Sequence, residues 1–303
     1  MVKKTAASPP RIRWRSLSDL PLSLGSYGHR MSIHPFDLLM ELDTRYIRLD
    51  CAALHLARDE FPECVLTPHL VFLDQLAKEV AEMRPGLSAN LRYEAMRQVL
   101  VERHQFRGNE DDFYSPDNSY LNRVLDSRTG VPISLSVVWL EVARRLKWPV
   151  SGVGLPGHFI IRFDDEERFV LVDPFRMGRT LSIEDCQDLL DYHNSGSMEF
   201  TPSLLRPVCV RTILSRMLQN LREIYVAHHD WDRVTRVLQR LSAAEPSNAR
   251  NVHDLSRLLY SRAKLTAARE CLTRFLSTQP GPDEQFVLTE KLNHIEAMLA
   301  SWN

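Results

Sequence analysis

"VPISLSVVWLEVARRL", residues 131–146, and "GHFIIRFDDEERFVLVDPF", residues 157–175, decide the fold between them. In the first, Ile133, Val137 and Leu140 together with Val138, Val142 and Leu146 cover most of the circumference of a helix, so the pattern predicts burial on nearly every side over 133–146. The second switches to period two, and "GHFIIRF" and "RFVLVDPF" read as strands joined by the acidic turn Asp164-Asp165-Glu166-Glu167. If that turn closes a simple hairpin, Phe163 faces Arg168 and His158 faces Asp173. Directly opposed Cβ atoms lie about 4.5–5.5 Å apart, close enough for the carboxylate to accept an imidazole N–H and fix its tautomer. His158 and Asp173 would then be the base and the orienting group of a nucleophile–His–Asp constellation.

What such a constellation still needs is a nucleophile, and the natural place for one is the helix start near Ile133, where backbone N–H groups stabilise a thiolate or an oxyanion. That turn reads Thr129-Gly130-Val131-Pro132-Ile133-Ser134 and contains no cysteine. Ser134 and Ser136 are hydroxyls in or near the first turn, where serine more commonly caps or packs. Cys186, in "LSIEDCQDLL", follows the second strand but sits in an amphipathic helical pattern that predicts a buried structural thiol.

Upstream, apolar residues recur at three and four from Phe36 to Ala81, and a further helix covers roughly 90–102 after Pro85-Gly86. The stretch "HQFRGNEDDFYSPDNSYLNRVLDSRTGVP" mixes turn formers with Phe106, Phe113, Tyr114, Tyr120 and Leu121. So many large apolar groups predict a loop docked on the core, with Asn118 and Ser119 lining or buttressing the cleft. Helices followed by antiparallel strands give an α+β core.

Downstream of Leu205 the pattern is helical and repeats. "NLREIYVAHHDWDRVTRVLQRLSAAEP" (220–246) aligns with "DLSRLLYSRAKLTAARECLTRFLSTQP" (254–280), apolar on apolar at Leu221/Leu255, Ile224/Leu258, Leu238/Leu272 and Leu241/Phe275, with Pro246 and Pro280 34 residues apart. That is the tetratricopeptide period. Two repeats fall short of a self-sufficient stack, so the module leans on its neighbours.

The formal net charge is -1, which gives the whole chain no attraction for nucleic acid. Cys51, Cys64, Cys186, Cys209 and Cys271 are scattered with no C-x-x-C, against a disulfide framework or a structural zinc, and a reducing cytoplasm fits them best. "HHDW" (228–231) has no second ligand cluster, and no metal or cofactor is expected. No segment offers about 18 uninterrupted apolar residues for a membrane span. Residues 1–30 read as a basic, flexible tail with no signal-peptide pattern, and Met31 is an alternative start. The domains expected are the tail, a core over 31–204 and a helical repeat domain over 205–303.

"GNEDDFYSPDNSYLNRVLDSRTGVPISLSVVWLEVARRL", then "GLPGHFIIRF" and "LVDPF", resembles the SirB-type proteins of the transglutaminase-like superfamily, across roughly residues 40–280. The resemblance implies a transglutaminase-like, papain-like core followed by tetratricopeptide repeats. In active members a helix-start cysteine precedes a histidine and an aspartate on neighbouring strands. His158 and Asp173 match the latter two, while the cysteine position falls within Val131 to Ser134, where there is none. The sequence therefore favours a non-catalytic scaffold that takes a protein partner through its C-terminal repeats. The alternative is an acyl-transfer or amide-hydrolysing enzyme using His158 and Asp173 with Ser134 or Cys186.

Overall fold

A computed structural model describes residues 34–194 and 199–301; the expected tail and the alternative start at Met31 lie outside these residues. The chain opens with helices α1 (Pro35–Leu39), α2 (Leu49–Ala57), α3 (Leu66–Glu82) and α4 (Ala89–Arg97), the last running on into a wider π turn over Gln98–Arg103. A two-residue strand β1 (Arg107–Gly108), helix α5 (Leu121–Ser127) and strand β2 (Thr129–Gly130) lead to α6 (Pro132–Leu146). Every residue of α6 from Pro132 to Ala143 is buried, as its all-round apolar pattern requires. Even its Glu141 is buried, beside Asp50 of α2, and Arg144 and Arg145 supply the counter-charge to both.

Strands β3 (Val150–Leu155), β4 (His158–Asp164), β5 (Phe169–Asp173) and β6 (Arg179–Leu181) form an antiparallel sheet in sequence order, and β1 pairs with β2 in parallel. Phe159, Ile161, Phe163 and Val172 join the main core, where Phe163 meets Trp139 of α6 edge-on at 6.3 Å. The other face, Val153, Leu155, Ile160 and Leu171, packs under α7 (Ile183–Asn194) through Cys186 and Leu189. An α+β core is the result.

The β4–β5 hairpin closes one residue further along than the simple turn predicts. Asp164 pairs with Phe169 and Ile161 with Val172, so the loop is Asp165–Arg168 rather than 164–167. Asp165 selects this closure: its carboxylate accepts from the N–H groups of Glu167 (3.0 Å) and Arg168 (2.8 Å), and from that of Ala89 at the start of α4 (2.9 Å). Each partner moves by two residues, an even shift that leaves every side chain on its expected face.

Five helices follow: α8 (Val210–Ala227), α9 (Trp231–Ala244), α10 (Ala249–Ser261), α11 (Leu265–Leu276) and α12 (Pro282–Ser301). α8 lies on the core, with Tyr225 hydrogen-bonded to Tyr120 at 2.8 Å, and one continuous apolar cluster runs from Phe36 to Ile295.

Candidate functional site

His158 opens β4 after a two-residue turn, Pro156-Gly157, and pairs with Leu155. Gly157 has φ +77°, the left-handed value that the second central residue of a type II turn takes and that glycine adopts without a Cβ clash. The shifted register makes His158 and Asp173 diagonal rather than directly opposed, and still their side chains meet. His158 Nε2 lies 2.9 Å from Asp173 Oδ2, with His158 7% exposed and Asp173 0%. With the carboxylate as acceptor, this contact selects the Nε2–H tautomer of His158. The other oxygen, Oδ1, accepts from the backbone N–H of Phe175 (3.0 Å) and of Arg176 (3.4 Å), which locks the carboxylate in place.

Ser134 is held elsewhere. Its hydroxyl accepts from the N–H of Val131 (3.1 Å) and donates to the carbonyl of Asn118 (2.5 Å), so it closes the helix start from the third helical position. Its oxygen is packed so closely that a Cβ on Gly130 would sit 2.6 Å from it. Alternation along β4 and β5 puts His158 and Asp173 on the face covered by α7, whereas α6 packs on the opposite face. The pair and the start of α6 are joined through backbone: β1 lies between them, with Gly108 N–H donating to Phe175 (3.0 Å) and Asn109 N–H to Gly130 (3.1 Å).

Asn118 fastens the long loop. Its amide donates to the carbonyls of Asp112 (2.6 Å) and Phe113 (3.2 Å), and its oxygen accepts from Asn109 (3.0 Å). Ser119 beside it is 1% exposed, and its hydroxyl has no hydrogen-bond partner among the described residues. Cys186 is fully buried on the α7 side of the sheet; burial pushes its thiol up to about 11, with Asp185 and Asp173 adding to the shift. Among the described residues no group of three or more His, Cys, Asp or Glu side chains could hold a metal. A recess at the junction of core and helices, lined by Leu56, Tyr120, Tyr225 and Arg233, shares no residue with the His–Asp pair.

Residues 69–219, β1 to β6 and most of α8 included, match the transglutaminase-like superfamily. A UPF0162 protein of Xylella fastidiosa is 35% identical over 249 residues, 80% of this chain and 88% of that one. This chain belongs to the UPF0162 family. A second member, from Pseudomonas aeruginosa, is 30% identical over 267 residues, 84% of this chain and 97% of that one. The human F-box only protein 21 is 35% identical over 136 residues, 42% of this chain and 21% of its own length. No solved structure matches.

Arg216 of α8 escapes the sequence patterns, and in this UPF0162 chain it grips the turn that carries the histidine. One of its terminal nitrogens donates to the carbonyls of Leu155 (2.7 Å) and His158 (2.9 Å). A Cβ on Gly154 would stand 3.3 Å from the other nitrogen, so the glycine makes room for the guanidinium. The partners are 58 and 61 residues away, beyond any local signal. The glycine at 154, in a strand otherwise fit for a side chain, was the available hint.

Proposed function

We propose that this chain is a SirB-type, non-catalytic transglutaminase-like protein: a cytoplasmic, regulatory scaffold with an inherited His158–Asp173 pair and a tetratricopeptide-like helical region that takes a protein partner. The observation that carries this is the start of α6. The four positions from Val131 to Ser134 hold no thiol, and the hydroxyl present, Ser134, spends its proton on the Asn118 carbonyl. Serine is a competent nucleophile only with an aligned base and oxyanion donors, whereas a thiolate is accessible near neutrality. Cys186, with its thiol raised by burial, is held almost wholly as the inert thiol. His158 and Asp173 then serve as a buried polar clasp between strands.

The locked carboxylate of Asp173 favours one second reading, an acyl-transfer or amide-hydrolysing enzyme with Ser134 or Cys186 as nucleophile. A single comparison separates the two. Wild-type and His158→Ala proteins are incubated with glutamine-containing peptides and with aryl esters, then with a fluorophosphonate and with iodoacetamide, and the intact masses are read. The scaffold reading expects no turnover that the substitution abolishes and no adduct at Ser134 or Cys186. Turnover lost in His158→Ala, or an adduct at either residue that depends on His158, would replace it with the enzyme.

A further inference from the structure

His34 caps α1, and three elements converge on its ring. Nδ1 accepts from the backbone N–H of Phe36 at 3.2 Å. That bond selects the Nε2–H tautomer, and Nε2 lies 3.6 Å from Asp59 Oδ1, in the turn after α2. Arg240 of α9 reaches the same spot. It donates to both oxygens of Asp59, and its Nη1 donates to Asp37, inside α1. The second oxygen of Asp37 is buried and has no partner among the described residues, so this carboxylate depends on the guanidinium. His55 stands one turn before Asp59 on α2, its Nδ1 buried and likewise unpartnered among the described residues. The charges acting on His34 thus come from Asp37 on α1, His55 on α2, Asp59 after it and Arg240 on α9, while Arg58 acts on His55. Burial first, and Arg240 second, hold the His34 imidazole below its usual range against the opposing pull of Asp59 and Asp37.

Only a ring with Nδ1 bare fits this cap. A second proton has to enter at Nδ1, and it turns the acceptor of the cap into a donor facing an N–H. The new charge also stands beside Arg240. Helix α1 has five residues, and so short a helix has no reserve once its cap is lost. Its inner face, Phe36 and Met40, is buried in the main apolar cluster. The chain just beyond is tied independently, because Arg211 of α8 donates to the carbonyls of Met40 (2.6 Å) and Leu42 (2.8 Å).

We infer that His34 is the trigger of an acid-operated latch: its protonation at Nδ1 uncaps α1 and releases the helix from α9, with the Arg211 contacts as a fixed hinge. Opening uncovers the apolar floor beneath Phe36, at the junction of the core and the C-terminal helices. A ring that titrates lower in the fold than in the unfolded chain contributes stability that is complete above about pH 6.5 and is lost as pH falls through the folded value. The latch is independent of both readings of the His158 site.

The test is amide exchange of the full-length protein at about pH 7.5 and about pH 5.5, corrected for intrinsic rates and read by mass spectrometry. Protection of residues 36–40 is expected to fall at least about fivefold on acidification while α6 keeps its own, the factor that loss of a helix cap represents. Fluorescence of bis-ANS should rise over the same range. His34→Asn keeps a capping acceptor that does not titrate, so residues 36–40 should stay protected at both pH values. His34→Ala should leave them poorly protected at both, and His55→Gln should respond as wild type does. Circular dichroism confirms that each variant is folded. No pH response in wild type, a response in His34→Asn as large as that of wild type, or full protection in His34→Ala overturns the latch. Loss of the response in His55→Gln would move the trigger to His55 and overturn it as well. So would a loss of protection that includes α6, which marks general acid unfolding.

Discussion

Arg216 shows how one side chain ties two parts of the molecule. Its guanidinium leaves α8 and binds two carbonyls of the turn that presents His158, and the Phe159 ring lies beneath it at 5.9 Å. Hydrogen bonds to a charged group contribute about 1.5–3 kcal/mol when buried. Arg216 is partly exposed, so Arg216→Ala is expected to cost about 1–2 kcal/mol in urea unfolding and to shift the His158 ring signals in NMR spectra. Arg216→Lys should recover part of the stability but not both carbonyl bonds. Unchanged ring signals in the alanine variant would remove Arg216 from the His158 turn. The cysteines give a second residue-scale expectation. Cys209 is exposed at the start of α8; partial burial raises its thiol, but the Thr212 hydroxyl and the N–H groups of Thr212 and Arg211 outweigh it and lower the thiol overall. Burial pushes Cys186 and Cys271 up to about 11. At pH 8 a thiol at 11 is thiolate roughly one part in a thousand. Iodoacetamide should therefore modify Cys209 first and reach Cys186 and Cys271 only in denaturant, as peptide mass mapping will show. Equal labelling of Cys186 and Cys209 in the folded protein would contradict the packing under α7.

The β4–β5 hairpin shows what was legible at the scale of elements and what was not. Period-two alternation gave the strands and their faces, and the meeting of His158 with Asp173 survives a two-residue slip because the slip is even. The register itself was hidden, since a four-residue loop closes equally well one residue either way by local pattern. The Asp165 carboxylate breaks the tie, and one of its partners is Ala89, 76 residues away. The same holds for Ser134: its place in the first turn was readable, its bond to the Asn118 carbonyl was not. The backbone bonds from Ala89, Glu167 and Arg168 hold Asp165 below the usual carboxylate range. A depressed carboxyl contributes stability that is present above its unfolded value, about 3.9, and that is lost as pH falls through the lower folded value. Amide exchange at Glu167 and Arg168 should thus rise below about pH 4, beyond the intrinsic trend. Asp165→Ala should show faster exchange at neutral pH, and Asp165→Asn, which keeps an acceptor, should stay near wild type. Wild-type exchange rates in the alanine variant would mean the turn closes without its cap.

At the scale of the whole molecule, the two regions that sequence periodicity separates near residue 205 share one core. The apolar cluster passes from α6 through Leu214, Met217 and Leu218 of α8 to Leu288 and Ile295 of α12, and the superfamily match itself ends inside α8. Charge reinforces the junction. Arg240 of α9, 8% exposed, binds Asp37 (2.5 Å) and Asp59 (2.9 Å) of the N-terminal helical part, and Arg233 pairs with Glu60. The C-terminal helices gain a further packing layer from the core through α8, whose Leu214, Met217 and Leu218 belong to the same apolar cluster. One cooperative unit follows: peptides from α3, α6 and β4 and peptides from α9 and α10 should lose protection from hydrogen exchange in the same urea step. Arg240→Ala removes the shared cation and leaves two partly exposed carboxylates, Asp37 and Asp59, without it, a loss on the order of 2–3 kcal/mol once solvent screening is allowed for. Arg240→Lys should recover less than half, because a point charge cannot span both carboxylates as the guanidinium fork does. In the alanine variant α9–α12 should open at lower urea than α3–β5, splitting the single step in two. A wild-type transition already split in this way would show that the helical region stands apart from the core, and the junction contacts would then carry none of the stability assigned to them.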